Sequence, residues 1–196
     1  MENNDWYMIV VHPSDPSTAM LKSIYEGLDG VRLFDSFRQR NEIAEALASA
    51  PKEEAVLLLG HGCPSGLLDM RYGLIVGEKA VPSLKNRENL IGIWCFASTF
   101  AERHHLKGFF SGMFISEPAE AYINGVEASP EEIYGKAVDF SRRLGDLLRA
   151  GVPLKEAALE MSDPKHIDSE LTKFNYSRLT YRETGNEGLP VEEFDW

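Results

Sequence analysis

The chain has 196 residues, 43% of them hydrophobic, which is enough for one continuous core. Its net charge is −11, with acidic residues in both halves, so its mean field repels phosphate backbones and anionic lipid, and neither nucleic acid nor membrane is an expected partner. The first residues are acidic and polar where a secretory signal needs a basic and then an apolar segment, no apolar run approaches the ~20 residues that span hydrocarbon, and two cysteines make no disulfide framework, so the expected setting is a reducing cytoplasm.

Residues 6–11 are a nearly continuous apolar run that stops at His12-Pro13, the pattern of a buried strand entering a loop. Ser17 is placed to cap a helix in which Met20, Leu21, Ile24, Tyr25 and Leu28 recur at helical spacing, with Gly30 as its end. Val31–Phe34 reads as a second strand, and Asn41 as the cap of a second helix with Ile43, Ala44, Leu47 and Ala50 on one face.

Ala55–Leu59 is apolar on both pleat faces, as expected of a parallel strand covered on both sides, and runs into Gly60-His61-Gly62-Cys63. After a Gly-rich, mixed stretch to Gly77, a short helix at Val81–Leu84 leads to a fourth strand, residues 90–94, ending at Cys95. Residues 109–115 predict a fifth strand, with a helix beginning at Pro118. Ser129-Pro130-Glu131-Glu132 is a strong helix start, and Gly151 stops that helix. Pro153 opens another helix, which puts Leu154, Ala157, Ala158 and Met161 on one face. Residues 174–181 predict a sixth strand, and residues 185–196 an acidic tail. The whole reads as a single α/β domain over residues 1–196, with its core at about 5–182.

In open parallel sheets, ligands bind beyond the carboxyl ends of the strands. His12, His61, Cys63 and Cys95 all fall there. Adjacent strands lie about 4.8 Å apart, so pairing of the third and fourth strands brings His61 and Cys95 within reach of each other as general base and nucleophile. The thiolate would attack a carbonyl to give an acyl-enzyme, with the backbone N–H groups of Gly62 and Cys95 as oxyanion donors. The ordinary structural readings are a small buried Cys95, a hydrogen-bonded loop His61, a turn residue at His12, and a solvated helix surface for His104 and His105.

Two blocks together, Ala55-Val56-Leu57-Leu58-Leu59-Gly60-His61-Gly62 and Leu90-Ile91-Gly92-Ile93-Trp94-Cys95, resemble the caspase-like superfamily of caspases, metacaspases, gingipains and legumain. Gly66-Leu67-Leu68-Asp69 and the turn near Gly77 look like that family's connecting segment, and the likeness covers roughly residues 5–182. It implies a three-layer caspase-like fold, a largely parallel six-stranded sheet flanked by helices. It also implies cysteine endopeptidase (hydrolase) chemistry on a peptide or protein substrate, without cofactor or metal; a homodimer is compatible with it.

In the family, position 93 often sets specificity with an acid or Gln, and position 94 is usually small. Here they are Ile93 and Trp94, the second able to reshape the cleft, while Glu117 and Asp69 remain as sources of pocket charge. Two alternatives stay open. One is a catalytically inactive caspase-like scaffold or regulatory binding domain. The other is a metal or redox site from His61, Cys63 and Cys95, joined by His12, against which stands the lack of a tight ligand pair in each half.

Overall fold

A computed structural model describes residues 8–183. Residues 6 and 7 of the predicted first strand, and the whole predicted tail, lie outside the described residues. The described strand β1 is Met8–Val11; β2 (Val31–Phe34) pairs parallel to one side of it and β3 (Ala55–Leu59) to the other. A 3₁₀ helix, Pro16–Ile24, links β1 to β2, and α1 (Arg40–Ser49) precedes β3. Next come three short antiparallel strands, β4 (Gly62–Cys63), β5 (Gly66–Leu68) and β6 (Leu74–Gly77), which form a separate sheet. The short helix α2 (Val81–Leu84) then leads to β7 (Leu90–Ile93), which lies parallel to β3.

Beyond β7 come α3 (Ala97–Arg103), β8 (Gly108–Ser111), α4 (Pro118–Ile123), α5 (Pro130–Arg149), α6 (Leu154–Met161), α7 (Glu170–Tyr176) and β9 (Leu179–Arg182). The main sheet has the order β2-β1-β3-β7-β8-β9, parallel except for β9, which runs antiparallel to β8. The chain is thus α/β with a six-stranded, mostly parallel sheet. Among the described residues, no helix is long and apolar enough to cross a membrane.

The period-2 pleat divides β3 between two cores. Val56 and Leu58 pack with Ile43 and Leu47 of α1, Leu84 of α2 and Phe100 of α3. Leu57 and Leu59 pack with Met20, Leu21 and Ile24 of the 3₁₀ helix, Phe140 and Leu144 of α5, and Met161 of α6. Each such aliphatic side chain removed from water contributes about 1.5–3 kcal/mol before the entropy of ordering is subtracted. Covered on both faces, β3 and β7 hold their carboxyl ends in fixed positions.

Several local expectations are met and others are revised. Ser129 Oγ accepts from Glu132 N at 3.1 Å, and Pro130 opens α5. The helix stops where Gly151 turns to φ +69°, with Gly151 N and Val152 N bonding back to Leu148 O and Leu147 O. The segment after β1 is 3₁₀, and its cap is Asp15 rather than Ser17, because Asp15 Oδ1 reaches Ser17 N at 2.9 Å. A 3₁₀ turn capped by Ser36 runs directly into α1, so Asn41 is not its cap.

The fourth strand ends at Ile93 and the fifth at Ser111. The predicted sixth strand is shortened to Leu179–Arg182, since Ser169 caps α7 and carries residues 174–176 into it. His104 is half-buried, its ring centroid 4.6 Å from that of Phe100 in an edge-on contact, so the nearby aromatic takes it off the solvated surface.

Candidate active site

His61 follows β3, and Cys95 follows β7. Leu59 and Ile93 are directly paired in the parallel register, so each candidate stands two residues beyond a matched pair. Both side chains line the same cleft, which encloses about 1160 Å³ of space partly open to solvent. They also border a smaller apolar recess of about 360 Å³, lined by Met20, Leu21, Ile93 and Phe114 among others. Ile93 is therefore a buried apolar wall of that recess.

The Cys95 thiol is held on the side of α4. Its Sγ lies 3.4 Å from Phe114 O and 3.5 Å from Glu120 Oε1, and it donates toward these acceptors. Burial, followed by the adjacent Glu120 carboxylate, pushes its pKa up to about 12. In this arrangement the sulfur is a thiol, not a thiolate. Glu120 is fixed in turn: its Oε2 accepts from Ser116 N at 2.7 Å and Glu117 N at 3.0 Å.

His61 is bonded elsewhere. Its Nε2 is 2.6 Å from Ser17 Oγ and 3.9 Å from Asp15 Oδ2. Phe96, directly after Cys95, takes φ +70°, a left-handed conformation unusual for a side chain of that size, and its N–H is anchored on Gly112 O at 3.0 Å.

Two backbone donors flank the site. Leu68 N donates to His61 O at 2.8 Å, and Gly62 pairs with Leu67. The alternation of an antiparallel ladder then turns the Gly62 N–H away from β5. Among the described residues, the Cys95 N–H makes no hydrogen bond. The absence of a Cβ on Gly62 makes room for the Trp94 indole, since a Cβ there would lie 1.9 Å from its Cδ1. Trp94 itself packs into the core with Phe100, and its Nε1 donates to Cys63 O at 3.3 Å. The indole thus tethers β4 beneath the site instead of lying across the cleft.

The remaining sequence candidates separate. Asp69 lines the cleft but is spent on its own turn: Oδ1 accepts from Arg71 N and Gly73 N, and Oδ2 pairs with Arg40 at 3.0 Å. Burial alone would raise its pKa, but these hydrogen bonds and Arg40 bring it below the usual range. Glu117 also lines the cleft and, among the described residues, has no ion-pair partner.

His12 is 5% exposed, and its Nε2 donates to Thr18 O at 3.1 Å, which leaves Nδ1 to accept from Tyr25 Oη at 3.0 Å. Burial lowers the His12 pKa, so it is a neutral tie between loop and helix. Cys63 is half-buried on β4, and both cysteines are free. Among the described residues, no three His, Cys, Asp or Glu side chains are grouped to hold a metal ion.

The motif reading missed Asp15, Ser17 and Glu120. The first two lie in a Pro- and Ser-containing loop, where capping was the only evident use, although the position of that loop just beyond a strand was a usable signal. No protein-family model matches the chain, and no curated protein matches it.

Proposed function

We propose that this chain is a caspase-like cysteine endopeptidase, a single domain working in a reducing cytoplasm, with His61 and Cys95 as its catalytic pair. The observation that carries the reading is the delivery of an imidazole and a thiol, from matched positions on adjacent parallel strands, into one open cleft. His61 takes the Sγ proton as the sulfur attacks the substrate carbonyl carbon, and the Gly62 and Cys95 N–H groups receive the oxyanion. Collapse of the tetrahedral species breaks the C–N bond, and the amine leaves with the His61 proton. Water, deprotonated by His61, then hydrolyses the thioester and regenerates the thiol.

The thiol must first exchange Glu120 for His61, a side-chain rotation that substrate binding in the cleft would favour by displacing the Cys95–Glu120 contact. Because Glu117 lines the cleft with no ion-pair partner among the described residues, a basic substrate side chain is favoured over an acidic one. The inactive-scaffold reading has one observation of its own: Sγ is bonded to Glu120 and not to His61.

Peptidyl chloromethyl ketones carrying Lys, Arg, Asp or Leu next to the reactive group, with adducts mapped by mass spectrometry, separate the two readings. A Cys95 adduct that disappears in His61→Ala supports the peptidase. Equal, slow labelling of Cys63 and Cys95, with no cleavage of a peptide library, leaves the scaffold.

A further inference from the structure

Asp15 and Ser17 meet the candidate base at Nε2, and the hydrogen inventory there has one consistent solution. A serine hydroxyl has a single hydrogen, and an ionised carboxylate only accepts. Asp15 Oδ1 lies 2.7 Å from Ser17 Oγ and 2.9 Å from Ser17 N, and it accepts from both. Burial alone would raise the Asp15 pKa, but the opposing influences, led by these two hydrogen bonds, hold the carboxyl below its ordinary value. The Ser17 hydrogen is thus committed to Asp15, and the oxygen presents only lone pairs to the imidazole nitrogen 2.6 Å away.

We infer that Asp15 and Ser17 are positioning residues that hold neutral His61 as its Nε2–H tautomer and leave Nδ1 as the unprotonated nitrogen that receives the Cys95 proton. Among the described residues, no hydrogen bond occupies Nδ1. When Nδ1 takes the proton, the ring becomes a cation with Asp15 Oδ2 3.9 Å from Nε2, close enough to stabilise the charge. This is not a serine nucleophile with its acid and base. In that arrangement the carboxylate orients the far ring nitrogen and the serine hydrogen points at the imidazole. Here the carboxylate takes the serine hydrogen itself.

The role assigned to Nδ1 rests on the peptidase reading, but the tautomer is measurable without turnover. Long-range ¹⁵N–¹H correlation of the uniformly labelled full chain, with His61 assigned by comparison with His61→Gln, reports which ring nitrogen carries hydrogen. The wild type gives a protonated Nε2 and a bare Nδ1. Asp15→Ala frees the Ser17 O–H to donate to Nε2, and the ring switches to Nδ1–H. Asp15→Asn keeps an acceptor oxygen for Ser17 and the wild-type tautomer.

Alkylation of Cys95 by iodoacetamide falls by about tenfold or more in Asp15→Ala, a share of the ~10²–10⁴ that a general base supplies, and recovers in Asp15→Asn. An Nδ1–H tautomer in the wild type overturns the inference even if no variant folds, as does Asp15→Ala retaining Nε2–H. If His61→Ala leaves Cys95 labelling unchanged, the peptidase reading fails, while the tautomer result stands on its own spectrum.

Discussion

Opposite ends of the same two strands, β3 and β7, treat their polar groups in contrasting ways. Ahead of the strands, the Arg87 guanidinium is fully buried and spends its five N–H donors on five main-chain carbonyls, those of Leu47, Ala50, Pro51, Glu54 and Ser83. Beyond them, His61 is 26% exposed and Phe96 holds a left-handed backbone, and among the described residues Nδ1 of His61 and the Cys95 N–H have no hydrogen bond. A group with every hydrogen bond made is fixed and has nothing left to offer a ligand. Spare donors and local strain stay where an incoming molecule can use them. One end is a clasp and the other the candidate site.

Breaking the site has the largest expected effect. His61→Ala lowers peptide cleavage by about 10²–10⁴-fold, and Cys95→Ala abolishes it, while circular dichroism of both variants remains that of the wild type. A folded His61→Ala variant with unchanged cleavage kinetics would remove the contrast between the two ends.

The clasp fails differently. Arg87→Leu removes a donor from five carbonyls and leaves Leu47 O and Ala50 O, at the end of α1, without the guanidinium, while Ser83 O keeps Lys52 Nζ and Pro51 O keeps Glu54 N. Denaturant titration should show a loss of about 3–5 kcal/mol, with Cys95 reactivity in the remaining folded protein unaltered. Gly62→Ala joins the two effects, since the new Cβ meets Trp94 and the cost is about 1–3 kcal/mol. Thermal melting would register that loss, and His61, one residue away, should lose labelling-competent geometry with it.

Glu120→Gln keeps the shape around Cys95 and removes the charge. Its thiol pKa should fall, and iodoacetamide labelling at pH 7 should quicken by about threefold to tenfold, as for a shift of up to one unit. The same thiol also makes stability depend on pH. The Cys95 pKa is raised from an ordinary 9.0 to about 12 in the folded chain, so below pH 9 the thiol is protonated whether folded or not and the folded state keeps its full advantage. As the pH rises from 9 towards 12, the unfolded chain ionises first and stability falls. Denaturation midpoints for wild type and Cys95→Ala at pH 8 and pH 10.5 measure it, with the steeper decline expected in the wild type.

Patterns confined to a few consecutive residues were legible in the sequence. The all-apolar β3, the Ser129-Pro130 start of α5 and the Gly151 stop depend on neighbours within about four positions, so their chemistry is written locally. His61 and Cys95 at the ends of strands were legible for the same reason, once β3 and β7 were expected to pair. The small sheet of β4, β5 and β6 was not, because strands of two to four residues carry too short a pattern to separate from a loop.

Local pattern was enough for an α/β chain with a histidine and a cysteine at the ends of two core strands, because hydrophobic periodicity and helix caps act over one or two turns of chain. Tertiary structure alone decided that Glu120 sits on the Cys95 thiol, that Ser17 and Asp15 sit on His61 Nε2, that Trp94 fills the space above Gly62 and that Arg87 closes the far end. These partners lie far apart in the chain, Ser17 and His61 by 44 residues and Asp15 farther still, and which of many carboxylates or hydroxyls meets a given imidazole or thiol depends on how covered sheet faces dock their helices and loops, a constraint that no local pattern contains.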